Sequence, residues 1–192
     1  MEIDLVADRA CDGCVACCTH LKIDVPELRK PAGQPCSNCA AGVGCAIYDA
    51  RPPVCRGWYC GWRRLGWVDA RLRPDRSDVL IRVARQDLPA TYDPSIGLDI
   101  SILNEAGIGA PGLAETICHA IRSNIATSLC VPGEPGMRGG RMSLNDDLAE
   151  AAGKADLTGL TRELKVLYLC LRLSFQEMTR EAAATPPSCV NS

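Results

Sequence analysis

Apolar and polar residues alternate in the middle of the chain, and this alternation predicts β-strands. Residues 78–85 and 96–103 are rich in β-branched side chains, and the turn-rich segment between them predicts an antiparallel hairpin. Residues 126–131 and 137–144 have the same character, and a stretch of glycine and proline separates them. The pattern therefore predicts four strands in one small antiparallel sheet.

Elsewhere the apolar residues recur every three or four positions, which is the period of an amphipathic helix. One such stretch opens at Pro111-Gly112, between the second and third strands, and gives the order ββαββ. A shorter one at 148–155 follows Asn145-Asp146-Asp147, which predicts an N-cap for that helix. The longest covers 160–184 and ends before Thr185-Pro186-Pro187. Its apolar face consists of Leu164, Leu167, Leu171, Phe175 and Met178.

The first third of the chain follows neither period. Residues 11–60 are rich in cysteine, glycine and proline, so we expect irregular loops with too few aliphatic residues for a core. Metal binding is the usual source of free energy that offsets loop closure. The expected fold is α+β: Cys-rich metal-binding loops pack on the small antiparallel sheet, with a long C-terminal helix. Regions 1–75, 76–145 and 146–192 are expected to form one compact domain.

The overall composition excludes several classes of protein. The chain has 192 residues and a net charge of −2, and 47% of its residues are hydrophobic, which excludes bulk disorder and gives no general attraction to nucleic acid or anionic lipid. No apolar stretch is long enough to span a bilayer, and the first residues lack the pattern of a secretory signal. We therefore expect a cytoplasmic protein with no membrane contact.

Cysteine departs most from ordinary usage: the chain has 13, and nine of them lie between residues 11 and 60. The odd total and the length of the chain disfavour a disulfide framework. Cys11, Cys14 and Cys17 have the spacing of a ferredoxin loop, whereas zinc sites more often pair two C-x2-C knuckles. The spacing favours an iron–sulfur cluster slightly and leaves zinc open.

Cys17 and Cys18 are adjacent in the sequence, and neighbouring side chains in extended or turn conformations point in different directions. More than one metal ion is therefore expected, as two centres or one multinuclear centre. Cys39 and His20 are the weakest candidate ligands nearby. The later cysteines, Cys118, Cys130 and Cys170, are expected to be reduced core cysteines, because cysteine is among the most frequently buried residue types.

Arginine is concentrated just after these cysteines: nine arginines and three aspartates lie between Arg51 and Arg85. Those closest to the cysteines are expected to offset the charge of metal thiolates. They are Arg51, Arg56, Arg63 and Arg64. An alternative is a nucleic-acid surface, because aromatic residues are interleaved with the arginines. These aromatics are Trp58, Tyr59, Trp62 and Trp67. We favour packing of the indoles beneath the metal loops instead.

The cysteine motifs resemble those of a known family. Residues 11–18 match a C-x2-C-x2-C-C signature, and residues 44–60 match a downstream signature that contains Tyr48, Arg51 and Pro52. Together they resemble the YkgJ-type cysteine-cluster family, a zinc- or iron-chelating domain. The resemblance implies eight metal ligands, with Tyr48, Arg51 and Pro52 in supporting roles. The eight are Cys11, Cys14, Cys17, Cys18, Cys36, Cys45, Cys55 and Cys60.

Three functions are compatible with these features. The first is a metal-binding protein that holds an iron–sulfur or zinc centre, in metal handling or as an accessory redox module. The second is a metalloenzyme with an incompletely ligated metal or cluster, since catalytic metals keep a free position. The third is a zinc module that docks nucleic acid or a protein partner. Nucleic acid is the least expected of these partners, and a protein partner remains unidentified.

Overall fold

The computed structural model describes residues 5–40, 43–86, 88–136 and 139–184, with side chains described as far as Phe175. The first part of the fold is built from elements of at most five residues, in keeping with its many turns. In chain order these are α1 (Ala16–His20), β1 (Ile23–Val25), β2 (Leu28–Lys30), β3 (Cys39–Ala40), β4 (Gly44–Cys45), α2 (Pro53–Arg56), α3 (Gly61–Arg64), a 3-10 turn (Ala70–Leu72) and α4 (Pro74–Ser77). β1 pairs with β2, and β3 with β4, both antiparallel.

A four-stranded sheet follows, with strands in the order β5-β6-β7-β8. Its elements are β5 (Val79–Ala84), β6 (Gly97–Ile102), a 3-10 turn (Glu105–Gly109), α5 (Leu113–Arg122), β7 (Ala126–Val131) and β8 (Gly140–Ser143). The predicted order ββαββ is confirmed. Of the predicted fourth strand, residues 137 and 138 lie outside the described residues.

The sheet is mixed, so the prediction of an antiparallel sheet is wrong at its centre. β5–β6 and β7–β8 are antiparallel, but β6 and β7 run parallel, with Gly97 opposite Ala126. The reason is α5, which lies in the connection between these two strands. A crossover of this kind returns the chain to the edge where β6 began, so the next strand runs in the same direction.

Two helices complete the fold, α6 (Ala149–Gly153) and α7 (Leu157–Ala184), and the second is the long C-terminal helix that was predicted. α7 begins at Leu157 rather than residue 160, because the Asp156 carboxylate accepts a hydrogen bond from the Gly159 backbone N–H at 2.9 Å. The predicted N-cap of α6 is wrong, since no side chain caps that helix. Asn145 instead accepts from the Thr127 backbone N–H at 2.7 Å.

The two faces of the sheet differ in polarity because successive side chains of a strand point to opposite faces. One face carries Ile81, Ile100 and Leu129, which are aligned across three strands and are fully buried. Helices α5 and α7 pack against β7 on this part of the core. The other face carries polar residues at the alternate positions. They are Arg82, Asp99, Ser101, Ser128, Cys130 and Arg141.

The cysteine-rich segment lies along edge strand β5. A Cβ atom at Gly61 of α3 would lie only 2.6 Å from Ile81 Cγ2, so glycine permits this close approach. Ala16, Cys60 and Trp62 belong to the same hydrophobic cluster as the sheet residues. Within the described part of the chain, no helix is both long enough and apolar enough to cross a membrane.

Candidate metal centre

A cavity of about 570 Å³ opens beside β5, and eight cysteines line it together with apolar side chains such as Leu21 and Ile47; we call it the cysteine cavity. The cysteines that line it are Cys11, Cys14, Cys17, Cys18, Cys36, Cys45, Cys55 and Cys60. Seven of these residues belong to the two sequence motifs, and the eighth, Cys36, is the further ligand that the family resemblance implies. The structure therefore brings all eight predicted ligands to one place, although they come from segments spread over fifty residues of chain.

The thiols line this cavity without converging on a single point. Among the described residues, no three Cys, His, Asp or Glu side chains are close enough together to hold one metal ion. All twelve described cysteines carry free thiols. Of the three later cysteines, Cys118 is buried and Cys130 is half-buried, but Cys170 is exposed, so the prediction of a core position is wrong for Cys170. A zinc–sulfur bond is about 2.3 Å long, so the sulfur atoms of one tetrahedral site lie about 3.8 Å apart. Metal binding thus requires the loops to draw together.

Cys17 and Cys18 are the pair that already has this separation. Their Sγ atoms lie 3.9 Å apart, so the expectation that the adjacent side chains diverge is wrong. The expectation assumed extended or turn backbone, but both residues belong to helix α1. Successive side chains of a helix are about 100° apart rather than about 180° as in a strand, which allows the two sulfur atoms to approach. One centre can therefore include both sulfur atoms.

Three thiols form a first thiol group: Cys11, Cys14 and Cys60. The Cys14 backbone N–H donates to the Cys11 carbonyl at 2.7 Å, which closes the loop that carries both side chains. Burial raises the pKa of the Cys60 thiol to about 11, and the neighbouring thiols of Cys11 and Cys14 add to the rise. The three thiols are thus close enough to affect one another electrostatically.

A second thiol group consists of Cys17, Cys18, Cys36 and Cys39. Contact with the Cys17 thiol, followed by burial, raises the pKa of Cys18 strongly. Burial and then the charge of Cys18 raise the pKa of Cys39 to about 11. Cys39 is absent from the lining of the cysteine cavity, yet its thiol is close enough to Cys18 for the two to affect each other electrostatically. Sequence reasoning gave it little weight as a ligand, and its position beside Cys18 makes it a stronger candidate.

Two further cysteines, Cys45 and Cys55, adjoin the second thiol group. Burial raises the pKa of the Cys55 thiol, and the charges of Cys18, Cys36 and Cys45 raise it further. His20 lies apart from these thiols and lines a different cavity. Burial lowers the pKa of its imidazole. His20 is therefore a weaker candidate ligand than any cysteine of the two thiol groups.

Backbone N–H groups point at several of the sulfur atoms. The Asn38 N–H lies 3.5 Å from Cys36 Sγ. Backbone hydrogen bonds from Arg63 and Trp62 lower the pKa of Cys60 and partly oppose the effect of burial. Hydrogen bonds to a charged sulfur favour the thiolate, which is the form that binds metal. This donor set is therefore chemically suited to zinc or to iron–sulfur clusters.

Two buried cations lie beside the thiols, one for each group. The Lys30 side chain is buried and its ammonium donates to the carbonyls of Thr19, Pro31 and Gln34 at 2.8 to 2.9 Å. Burial lowers its pKa, while the charges of Cys36, Cys18, Cys39 and Cys17 raise it. Carbonyl oxygens orient an ammonium but do not neutralise its charge. Thiolates formed in the second thiol group on metal binding would supply the missing negative charge.

Arg9 is the corresponding cation near the first thiol group. It is buried and its guanidinium donates to the carbonyls of Trp62, Leu65 and Val68. Burial lowers its pKa, and the charges of Asp69 and then of Cys60 raise it. Sequence reasoning missed both Arg9 and Lys30, because their carbonyl partners and thiol neighbours come together only in the folded chain. No local signal marks either residue.

The arginines expected to offset thiolate charge are divided. Arg51 and Arg63 line the cysteine cavity, whereas Arg56 and Arg64 do not. Arg63 donates to the Val6 carbonyl at 2.6 Å, but its Nε is a buried donor without a partner among the described residues. Such a donor is suited to an anionic group in the cavity.

The supporting residues of the second motif form part of the rim. The Arg51 guanidinium lies 3.7 Å from the Tyr48 ring centroid, and its Nε donates to the Tyr48 carbonyl. Burial and then the nearby charge of Cys11 raise the pKa of Tyr48. The Pro52 carbonyl accepts from the backbone N–H of Cys55 and so starts helix α2. These contacts position loops around the cavity.

The tryptophans of this segment pack inward. Trp62 is buried and its indole N–H donates to the Ala70 carbonyl at 2.8 Å. Trp58 and Trp67 pack against the core cluster, and Trp67 also stacks on His119 at 4.6 Å between ring centroids. Trp62, which is buried, therefore offers no open face to a nucleic-acid base. This packing favours the expectation that the indoles lie beneath the metal loops.

Comparisons with known families, curated proteins and solved structures each found no match for this chain. The resemblance to the YkgJ-type family therefore stays a prediction that rests on the two cysteine motifs.

Proposed function

We propose that this protein binds metal through the eight thiols of the cysteine cavity, as an iron–sulfur cluster or as zinc, and acts in metal handling or as an accessory redox module. The observation that carries the proposal is the gathering of all eight cysteines around one cavity. Reduced core cysteines would be dispersed among apolar side chains. Here they face a common space instead.

The division of the thiols into two groups argues for more than one bound metal ion. The first contains three thiols and the second contains four, with Cys45 and Cys55 adjoining the second. Each group has its own buried cation, Arg9 or Lys30, which offsets part of the negative charge that thiolates bring. Leaving either cation buried without thiolate neighbours would cost free energy.

When bound, an iron–sulfur cluster supplies one-electron transfer, and zinc supplies a rigid cross-link or a Lewis acid. The chain's own residues position the thiols around the cavity, whether the bound species is an iron–sulfur cluster or zinc. Backbone N–H groups favour the thiolate form, and Arg9 and Lys30 compensate its charge. The apolar sheet provides the fixed surface on which the loops close.

A second candidate function, a metalloenzyme, is favoured by the size of the first thiol group. Three protein ligands leave one position of a tetrahedral metal open to substrate or water. Arg63 Nε, the unpartnered donor in the same cavity, would be near such a ligand. A metal in this group that exchanges a bound ligand in solution supports the enzyme, whereas saturation by thiolates alone argues against it.

The test combines elemental analysis, a sulfide assay and an absorption spectrum on protein purified without oxygen. Wild-type protein is expected to contain about two or more metal ions per chain, with sulfide and visible absorption if the metal is iron. Cys60→Ser is expected to reduce the metal of the first group and Cys18→Ser that of the second. Cys170→Ser, at an exposed thiol on α7, is the matched control and should retain full metal content.

Two results would overturn the proposal. One is wild-type protein that is free of metal after anaerobic purification and does not take up zinc or ferrous iron with sulfide. The other is full metal content in both Cys18→Ser and Cys60→Ser. A double variant, Cys18→Ser with Cys60→Ser, that is folded but metal-free would support the proposal. The sheet would then account for the structure that remains.

A further inference from the structure

A second cavity, of about 970 Å³, lies on the polar face of the sheet, and the proposed function makes no use of it. Arg82, Ser101, Cys130 and Arg141 of the sheet line it, together with residues of the β1–β2 hairpin. Leu80 and Arg82 also line the cysteine cavity, so the two cavities are neighbours. We call this one the basic cavity.

One carboxylate serves two arginines on the sheet side of the basic cavity. Asp99 is buried and accepts hydrogen bonds from Arg82, its cross-strand neighbour on β5, and from Arg141 at 2.9 Å. The arginine side chains are 47% and 61% exposed, so each guanidinium also faces solvent. A guanidinium has five N–H donors, and Asp99 occupies only some of them.

On the hairpin side of the basic cavity, two cations again share one carboxylate. Lys22 lies 2.9 Å from the Asp24 carboxylate, and Arg29 lies 3.9 Å from it. The Lys22 side chain is 67% exposed and the Arg29 side chain is 78% exposed. Lys30 also lines this cavity, but its charge is directed at the second thiol group.

Leaving Lys30 aside, four cations around the basic cavity share two carboxylates among its described residues, which leaves a surplus of two positive charges. Cations that face one concave space raise the local concentration of anions. The whole chain has a net charge of −2, so this surplus is local rather than a general property.

We propose that the basic cavity binds a small molecule that carries a dianionic group, a phosphate monoester or a dicarboxylate. Two arginines on one strand-bound carboxylate present paired N–H donors, which match the oxygen geometry of both groups. The hairpin cations close the opposite side. The side chains that bind the anion are Lys22, Arg29, Arg82 and Arg141. Lys22 and Arg82 also line the cysteine cavity, whereas Arg29 and Arg141 line only the basic cavity, so variants of the latter two separate this site from the metal centre.

The test is calorimetric titration of the full chain, as purified, with inorganic phosphate and separately with succinate at low ionic strength. At least one probe is expected to bind saturably to one site, and binding should weaken as salt rises. Phosphate alone indicates a phosphoryl ligand, and succinate alone indicates a dicarboxylate. Arg141→Gln and Arg29→Gln are each expected to weaken binding about tenfold, the loss of one charge-assisted hydrogen bond.

Arg162→Gln removes the same charge from an exposed position on α7 and should bind like the wild type. Arg29→Gln is expected to fold like the wild type, because the Arg29 side chain lies on a hairpin and is largely exposed. It therefore tests the proposal even if Arg141→Gln misfolds. Metal content measured on the same samples separates this site from the metal centre: anion binding lost with metal retained supports the proposal. Absence of binding by both probes would overturn it, as would equal affinity in wild type, Arg29→Gln and Arg141→Gln.

Discussion

The sheet and the cysteine-rich segment are stabilised by different means. In the sheet, Ile100 and Leu129 are fully buried between strands and helices, and apolar burial of this kind accounts for the stability of an ordinary core. In the segment of residues 11–60, the described buried side chains include Lys30, Cys36 and Cys60 but few aliphatic ones. One half of the molecule is therefore self-sufficient, and we infer that the other depends on its thiols being engaged.

Removing metal is expected to produce the largest difference in behaviour between the sheet and the cysteine-rich segment. A chelator, with a reductant present, should raise hydrogen exchange of residues 11–60 by about a hundredfold or more, because structural metal supplies much of the folding free energy of such loops. Exchange of β6 and β7 should change little. Mass spectrometry of peptides from both regions is the measurement. A uniform increase over the whole chain would contradict the comparison.

A core substitution is expected to have the opposite selectivity. Ile100→Ala should destabilise the protein by about 3 kcal/mol, because a fully buried isoleucine leaves a cavity when it is truncated. Urea unfolding measures the change, and the metal content per folded chain should stay at the wild-type value. Val166→Ala, at a side chain that is 56% exposed on α7, is the control and should change stability by less than about 0.5 kcal/mol.

The buried cations sharpen the comparison within the cysteine-rich segment. Lys30→Met keeps the length of the side chain and removes the charge beside the second thiol group, so metal affinity there should fall about 10- to 100-fold. Competition with a chromophoric chelator measures the affinity. Lys165→Met, at an exposed position on α7, is the matched control. Equal affinities in the two variants would show that Lys30 does not compensate thiolate charge.

The smallest effect concerns an ion pair next to α4. A hydrogen bond from Arg71 holds the pKa of Asp69 at about 2, below its ordinary value of 3.8. The depressed pKa means that this stabilisation is complete above pH 3.8 and is lost as the pH falls toward 2. Asp69→Asn should therefore cost less than about 1 kcal/mol at neutral pH, since the pair is partly exposed. Unfolding curves should show the difference disappearing near pH 2.

The sequence predicts the elements of the sheet half because their signals are local. Alternation defines β5, β6 and β7, and the helical period of α7 is visible from Leu164 onward. The pairing of the strands is harder to predict from the sequence, because the parallel arrangement of β6 and β7 depends on how α5 packs. Asn145 shows the same limit: its position before a helix suggests a cap, but its partner is Thr127, a residue of the neighbouring strand.

For the candidate site, the motifs identify which cysteines share a cavity but not how they are grouped. Cys17 and Cys18 lie together because α1 is helical, and nothing in a cysteine-rich stretch signals a helix of five residues. Cys39 contacts Cys18 through the fold of the segment between them. The cations Arg9 and Lys30 are invisible to motif reasoning. The carbonyl groups that hold Arg9 come from a distant part of the chain, and those that hold Lys30 come from nearby turns whose conformation no motif specifies.

The position of β5 in the chain has a consequence for biosynthesis. Leu80 and Arg82 close one wall of the cysteine cavity, yet all eight thiols precede them and leave the ribosome first. At about 5–20 residues per second, the thiols spend seconds in a nascent chain without that wall. During this interval they are accessible to oxidants and to any available cation. If the thiols bind metal as proposed, the metal and redox state that they meet before β5 emerges would be favoured in the cell.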